Sequence, residues 1–153
     1  MDSSEAGAAH PTDRMLDEAV TVTRTVSESD VYLFAGASGD QSPNHIDRRY
    51  ARSLGLEDRV AHGVLLLGYT TTAASEVIRR LGSPALSYGY ERLRFTKPVP
   101  IGRTITASCT PRSYEPDRAL LRCEVRVIDE FDDTCLVGEH LLKLVEPAGA
   151  DAP

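Results

Sequence analysis

The sequence predicts an α+β domain in which a curved antiparallel sheet wraps one long helix. Three observations predict it: an apolar helical segment from Val64 to Leu81, four extended segments following it in succession, and short turn-like connections between those segments. With 153 residues, 41% of them apolar, the chain suits one domain whose core needs no disulfide or metal. That domain is drawn over residues 13–146. The flanking stretches, 1–12 and 147–153, are rich in Ala, Gly, Pro and Asp and bury too little apolar surface to offset ordering entropy, so both are expected to be flexible tails.

The elements follow in order. From Ala19 to Val26, Val20 and Val22 alternate with threonines as in a half-buried strand. Ser27-Glu28-Ser29-Asp30 reads as a capping box that opens a short helix through Val31, Leu33, Phe34 and Ala37. Residues Ser38 to Asn44 are turn chemistry throughout, and His45 closes that loop. Asp47 then caps a second short helix ending near Gly55. In the long helix from Val64, apolar residues spread around most of the circumference, which predicts burial on all sides, and Gly82 supplies the stop. The extended segments are Ala85 to Thr96, Thr104 to Ser113, Ala119 to Asp129 and Thr134 to Glu146. Consecutive strands joined by tight turns predict a meander, with a solvated hairpin tip at residues 129–133.

Composition narrows the function. A formal charge of −6 argues against nucleic-acid binding, which needs clustered Lys and Arg to displace counterions. Cys109, Cys123 and Cys135 form no CxxC pair and have no His at ligand spacing, so buried thiols are expected, and neither a disulfide framework nor a metal site. The start lacks a basic and apolar leader, and the longest apolar run, Val64 to Leu67, is far below the roughly 18 residues that span a membrane. A cytoplasmic protein without a membrane partner is the expectation.

Asp40 and His45 stand five residues apart on a Gly- and Pro-shaped loop, which lets a carboxylate and an imidazole face one cavity for acid/base work. Alone, such a pair more often marks a turn. Ser38-Gly39-Asp40 through Pro43 and His45, followed by Ile46-Asp47, resembles the hydratase-2 motif of the MaoC-like family, whose members include (R)-specific enoyl-CoA hydratases. Ala61-His62-Gly63-Val64-Leu65 is similar to the family's entry into its central helix. Arg94 to Gly102 resembles its Pro-Val strand and turn. The likeness runs from about Val20 to Val145, and three ordered motifs are harder to meet by chance than one.

The resemblance implies a hotdog fold, a single sheet around a central helix, and a hydratase/dehydratase that interconverts 2-enoyl and 3-hydroxyacyl thioesters of coenzyme A or acyl-carrier protein. It implies that Asp40 and His45 activate the water, and that the Gly63 N–H receives the thioester oxygen. That last role also has a physical rationale, because N–H groups opening a helix lack intrahelical partners. Thr71 falls where the family often carries a hydroxyl. Ser42 stands where Asn is usual and Asn44 where an aliphatic residue is usual; both are read as supporting residues. No cofactor beyond the thioester carrier is implied. His62 is read as shaping the loop that presents Gly63. Two alternatives stay open. A hotdog thioesterase would need a carboxylate on the helix, where only Glu76 is available, and a silent acyl-binding or partner subunit is argued against by the intact Asp40 and His45. An exposed sheet edge and apolar flank predict a homodimer, with a heteromeric hotdog as the other arrangement.

Overall fold

The structure, a computed structural model, describes residues 11–146. The chain forms β1 (Val20–Thr25), α1 (Glu28–Ser38), α2 (Pro43–Ile46), α3 (Arg48–Ser53), α4 (Gly63–Leu81), β2 (Ala85–Phe95), β3 (Thr104–Glu115), β4 (Leu120–Asp129) and β5 (Thr134–Leu144). A 3-10 turn at Pro11–Met15 precedes β1, and its Thr12 is fully buried, so the boundary drawn at residue 12 falls inside an ordered element. The rest of the N-terminal tail and all of residues 147–153 lie outside the described residues.

Local chemistry sets the helix ends. Ser27 Oγ accepts from the Asp30 N–H at 3.1 Å and Asp30 accepts from the Ser27 N–H at 3.0 Å, so the capping box forms as read. Gly39, at φ 79°, closes α1 in the left-handed conformation that favours glycine. Asp47 accepts from the N–H groups of Arg49 and Tyr50 and opens α3. Between them, Pro43 starts the one-turn helix α2, which carries His45 within what the sequence suggested was pure loop.

All five strands lie in one antiparallel sheet of order β1-β3-β4-β5-β2. The expected meander holds only for β3, β4 and β5. Strand β2 pairs with β5, three strand positions from β3, so residues 96–103 are a crossover spanning about 14 Å of sheet. This crossover is bonded to the stretch before α4: the Ala61 N–H donates to Val99 O at 2.8 Å and the Ile101 N–H to Arg59 O at 2.9 Å. Arg59 is buried and reaches Glu28, Asp58 and the Tyr32 hydroxyl, fastening α1 to the same stretch.

Helix α4 covers the sheet with one face, made by Leu66, Tyr69, Thr70, Ala73, Ala74, Val77 and Leu81. Burial on all sides is therefore not what the chain adopts. Val64, Gly68, Thr71 and Ser75 form an exposed stripe on the opposite face, at the i, i+4, i+7, i+11 spacing of one helix side. The three cysteines are buried and unpaired with one another. The hairpin at residues 129–133 is not a purely solvated tip. Asp129 is buried, accepts from the Phe131 and Asp133 N–H groups, and pairs with Lys97 at 2.8 Å. Among the described residues, no helix is long and apolar enough to cross a membrane.

Candidate active site

The loop after α1 and the start of α4 meet at Asp40, His45 and His62. One potential ligand or proton-carrying atom from each of the three lies within 4.8 Å of the others. Asp40 bonds its own turn, as an Asx residue does: Oδ1 accepts from the Ser42 N–H at 3.1 Å and from the Ser42 hydroxyl at 2.5 Å. These two donors hold the carboxyl below its ordinary value, which keeps it ionised. Its side chain is nevertheless open to solvent, so the turn and an exposed carboxylate coexist. Ser42, where the family usually has Asn, thus satisfies one oxygen of Asp40.

His45 is buried, and its Nδ1–H donates to Val60 O at 2.7 Å. That bond fixes the tautomer and leaves the lone pair on Nε2. Burial lowers the imidazole's pKa, the Val60 bond raises it in part, and the net shift is downward, so the neutral base prevails near neutrality. The Asn44 amide nitrogen lies 3.1 Å from Nε2 and 3.4 Å from Nδ1 of the same ring, so Asn44 packs against the imidazole. Val60 is placed by its bridge to Pro100, which ties the base to the crossover.

His62 was expected to shape the loop before Gly63 and does more. Its ring stacks on that of His45, with centroids 3.7 Å apart, and its Nε2–H donates to Asp40 O at 2.9 Å. Its place directly beside the helix-opening glycine is the signal that marked it in the sequence, but nothing local reveals a contact with residues 17 and 22 positions away. Gly63 is the first residue of α4, and no carbonyl among the described residues accepts its N–H. A Cβ there would lie 2.8 Å from two carbons of the Phe95 ring, so only glycine fits with the ring in place. Beside it is a cavity of about 250 Å³ lined by Ala61, Leu66, Phe95, Lys97, Pro98 and Val99.

Thr71 does not join this group. Its hydroxyl donates back to Gly68 O at 2.6 Å, on the exposed stripe of α4. Glu76 is about 20 Å along the helix from Gly63. Arg79 and Arg80 grip its carboxylate and bring its pKa down to about 2, which ill suits a thioesterase base. A metal would need nitrogen donors converging to about 3.3 Å, the edge of a zinc tetrahedron. The His45 and His62 rings instead lie face to face, 3.7 Å apart and 22° from parallel, so their in-plane lone pairs run side by side and do not converge on one ion.

A five-stranded antiparallel sheet wrapped on one long helix, with an Asp/His loop at the helix start, defines a hotdog domain of the hydratase type. Residues 9–122 match the family described as MaoC like domain, and the chain belongs to it. The (R)-specific enoyl-CoA hydratase of Rhodospirillum rubrum is 34% identical over 126 residues, covering 78% of this chain and 85% of that protein. The 3-hydroxybutyryl-CoA dehydratase of Methylorubrum extorquens is 34% identical over 131 residues, covering 84% and 79%. Among solved structures, the unliganded R-hydratase of Pseudomonas aeruginosa superimposes with a TM-score of 0.76 at 26% identity, covering 94% of this chain and 95% of that one.

Proposed function

We propose that the protein is a hydro-lyase that interconverts 2-enoyl and 3-hydroxyacyl thioesters, carried on coenzyme A or an acyl-carrier protein. The observation that carries the reading is the grouping of the Asp40, His45 and His62 side chains at the end of α4 that begins with Gly63. In the hydration direction the water oxygen bonds to C3 of the enoyl group and C2 takes up a proton. His45 accepts the water's proton on Nε2 and delivers it to C2 as the imidazolium so formed, while the Asp40 carboxylate holds the same water, so that one hydrogen and one hydroxyl add in all. The developing negative charge on the thioester oxygen is met by the Gly63 N–H and the positive end of the α4 dipole. This chemistry is proton transfer and asks for no cofactor beyond the carrier.

The names of the Rhodospirillum and Methylorubrum relatives support the substrate class. The test is loss of enoyl absorbance on crotonyl-CoA and longer enoyl thioesters, followed beside a thiol reagent. Hydration without thiol release is expected. Asp40→Asn and His45→Gln are each expected to lower kcat by about 10²- to 10⁴-fold, the usual worth of a general acid or base. Thiol release at rates matching enoyl loss, or variants as fast as wild type, would overturn the assignment.

We also infer that two copies pair through the free side of β2, where Leu86 and Tyr88 are 63% and 62% exposed, together with the outer stripe of α4. A second hotdog chain would use the same edge. The pairing is placed in the cytoplasm with the thioester pool.

A further inference from the structure

We propose that His62 is a positioning residue that ties the Asp40 loop to the start of α4, so that the acid/base loop and Gly63 hold a fixed relation. Its catalytic meaning rests on the hydratase reading above; the tie itself rests on geometry alone. His62 is the N-cap of α4, where a side chain ordinarily turns back to a free N–H of the first turn. Here it makes no such bond. Its Nε2–H crosses instead to Asp40 O at 2.9 Å, between residues 22 positions apart in sequence.

The loop has little else to hold it. The other hydrogen bonds of Asp40 among the described residues run to Ser38 and Ser42, each two positions away. They shape the turn without fixing it to the domain. The imidazole, 3% exposed, also stacks on His45 of α2 at 3.7 Å and meets the tilted ring of Phe34 of α1 at 4.8 Å, so the start of α4 is packed against both helices. Its Nδ1 is buried without a partner among the described residues. Burying an unpaired nitrogen is costly, and a phenyl ring would fill the same space without that cost. What a phenyl ring lacks is the Nε2–H, and the bond it makes to Asp40 is the feature the structure retains at that cost.

The test compares His62→Phe, which keeps a ring but no donor, with His62→Gln, which keeps a donor near the Nε2 position but no ring. Amide hydrogen exchange is read at Gly39 to Ser42, with the buried amides of α4 from Ala73 to Val77 as an internal check that each variant is folded. Steady-state hydration is measured on the same samples. In His62→Phe, faster exchange confined to the loop and a kcat about tenfold lower, with KM within twofold, are expected for one lost bond. His62→Gln is expected to recover most of both. A phenylalanine variant with wild-type exchange and kcat, or a glutamine variant no better than phenylalanine in a protein whose helix stays protected, overturns the proposal. Wild-type protein that is inert on every thioester while the exchange pattern follows the expectation bears out the tie and refutes the hydratase reading.

Discussion

Replacing Gly63 with alanine sets two opposed effects against each other at the start of α4. Gly63 is not in the left-handed region, so alanine fits its backbone and stiffens the unfolded chain, a gain of about 0.4–1 kcal/mol. Against this, the new Cβ lies 2.8 Å from two carbons of Phe95 and 2.9 Å from a third, where ordinary contact begins at 3.4 Å. The ring must retreat by about 0.6 Å, and forced displacement of that kind costs about 1–3 kcal/mol. The clash wins, and a net loss of about 1–2 kcal/mol is expected. Phe95→Ala alone, at a site 50% exposed, costs about 1 kcal/mol. In that background the clash is gone, so Gly63→Ala changes sign and stabilises. Urea unfolding of the four proteins closes the cycle. Because alanine retains the backbone N–H, hydration lost through the displaced ring should return in part in the double variant. An alanine that costs the same with and without Phe95, or that stabilises the wild-type background, refutes the steric argument.

Three further outcomes follow from buried or exposed groups elsewhere. Burial lowers the pKa of His140 from its ordinary 6.5 to about 4, so the unfolded chain binds a proton more readily between those values. Stability is complete above pH 6.5 and falls by about 3 kcal/mol as the pH drops to 4; His140→Phe should flatten that slope in unfolding titrations, and an unchanged slope argues against it. Burial alone would raise the Asp129 carboxyl, but Lys97 and the Phe131 and Asp133 N–H groups more than offset it. Asp129→Ala leaves those donors unpaired and is expected to cost about 2–4 kcal/mol by urea unfolding, with Lys97→Met costing less, and equal losses would count against the buried carboxylate as the organiser. Leu86→Asp with Tyr88→Asp is expected to convert a dimer to a monomer in sedimentation, and a monomeric wild type removes the β2 pairing.

What the chain reveals in advance depends on how far apart the interacting groups are. Ser27 with Asp30, Asp47 with its two amides, and Gly39 at its turn act within three residues, and each is readable from the letters alone. Asp40 and His45 are near neighbours on one loop, so their shared location was legible once the motif was seen. The partner of β2 was not, because a strand carries no local mark of which distant strand it joins, and the turn-like Lys97 to Gly102 segment suggested a hairpin. The composition of α4 suggests burial all round, but Val64, Thr71 and Thr72 face outward. The sequence neighbourhoods of His62 and Asp129 point only to a loop-shaper and a solvated tip. Their weight comes from contacts with Asp40, His45 and Lys97 that only the folded chain creates.

The crossover that sends β2 to the far edge also orders events in time. Strand β2 leaves the ribosome directly after α4, yet among the described residues its one partner in the sheet is β5, about 50 residues later in synthesis. Until Thr134–Leu144 emerges, β2 has no ladder to join, and the apolar face of α4 has β1 beside it but waits for β3 and the strands after it to complete its cover. Pairings of such long sequence separation close late and slowly. The helix that opens with Gly63 is made early, but the sheet that holds it in place is completed by the last strand of the domain.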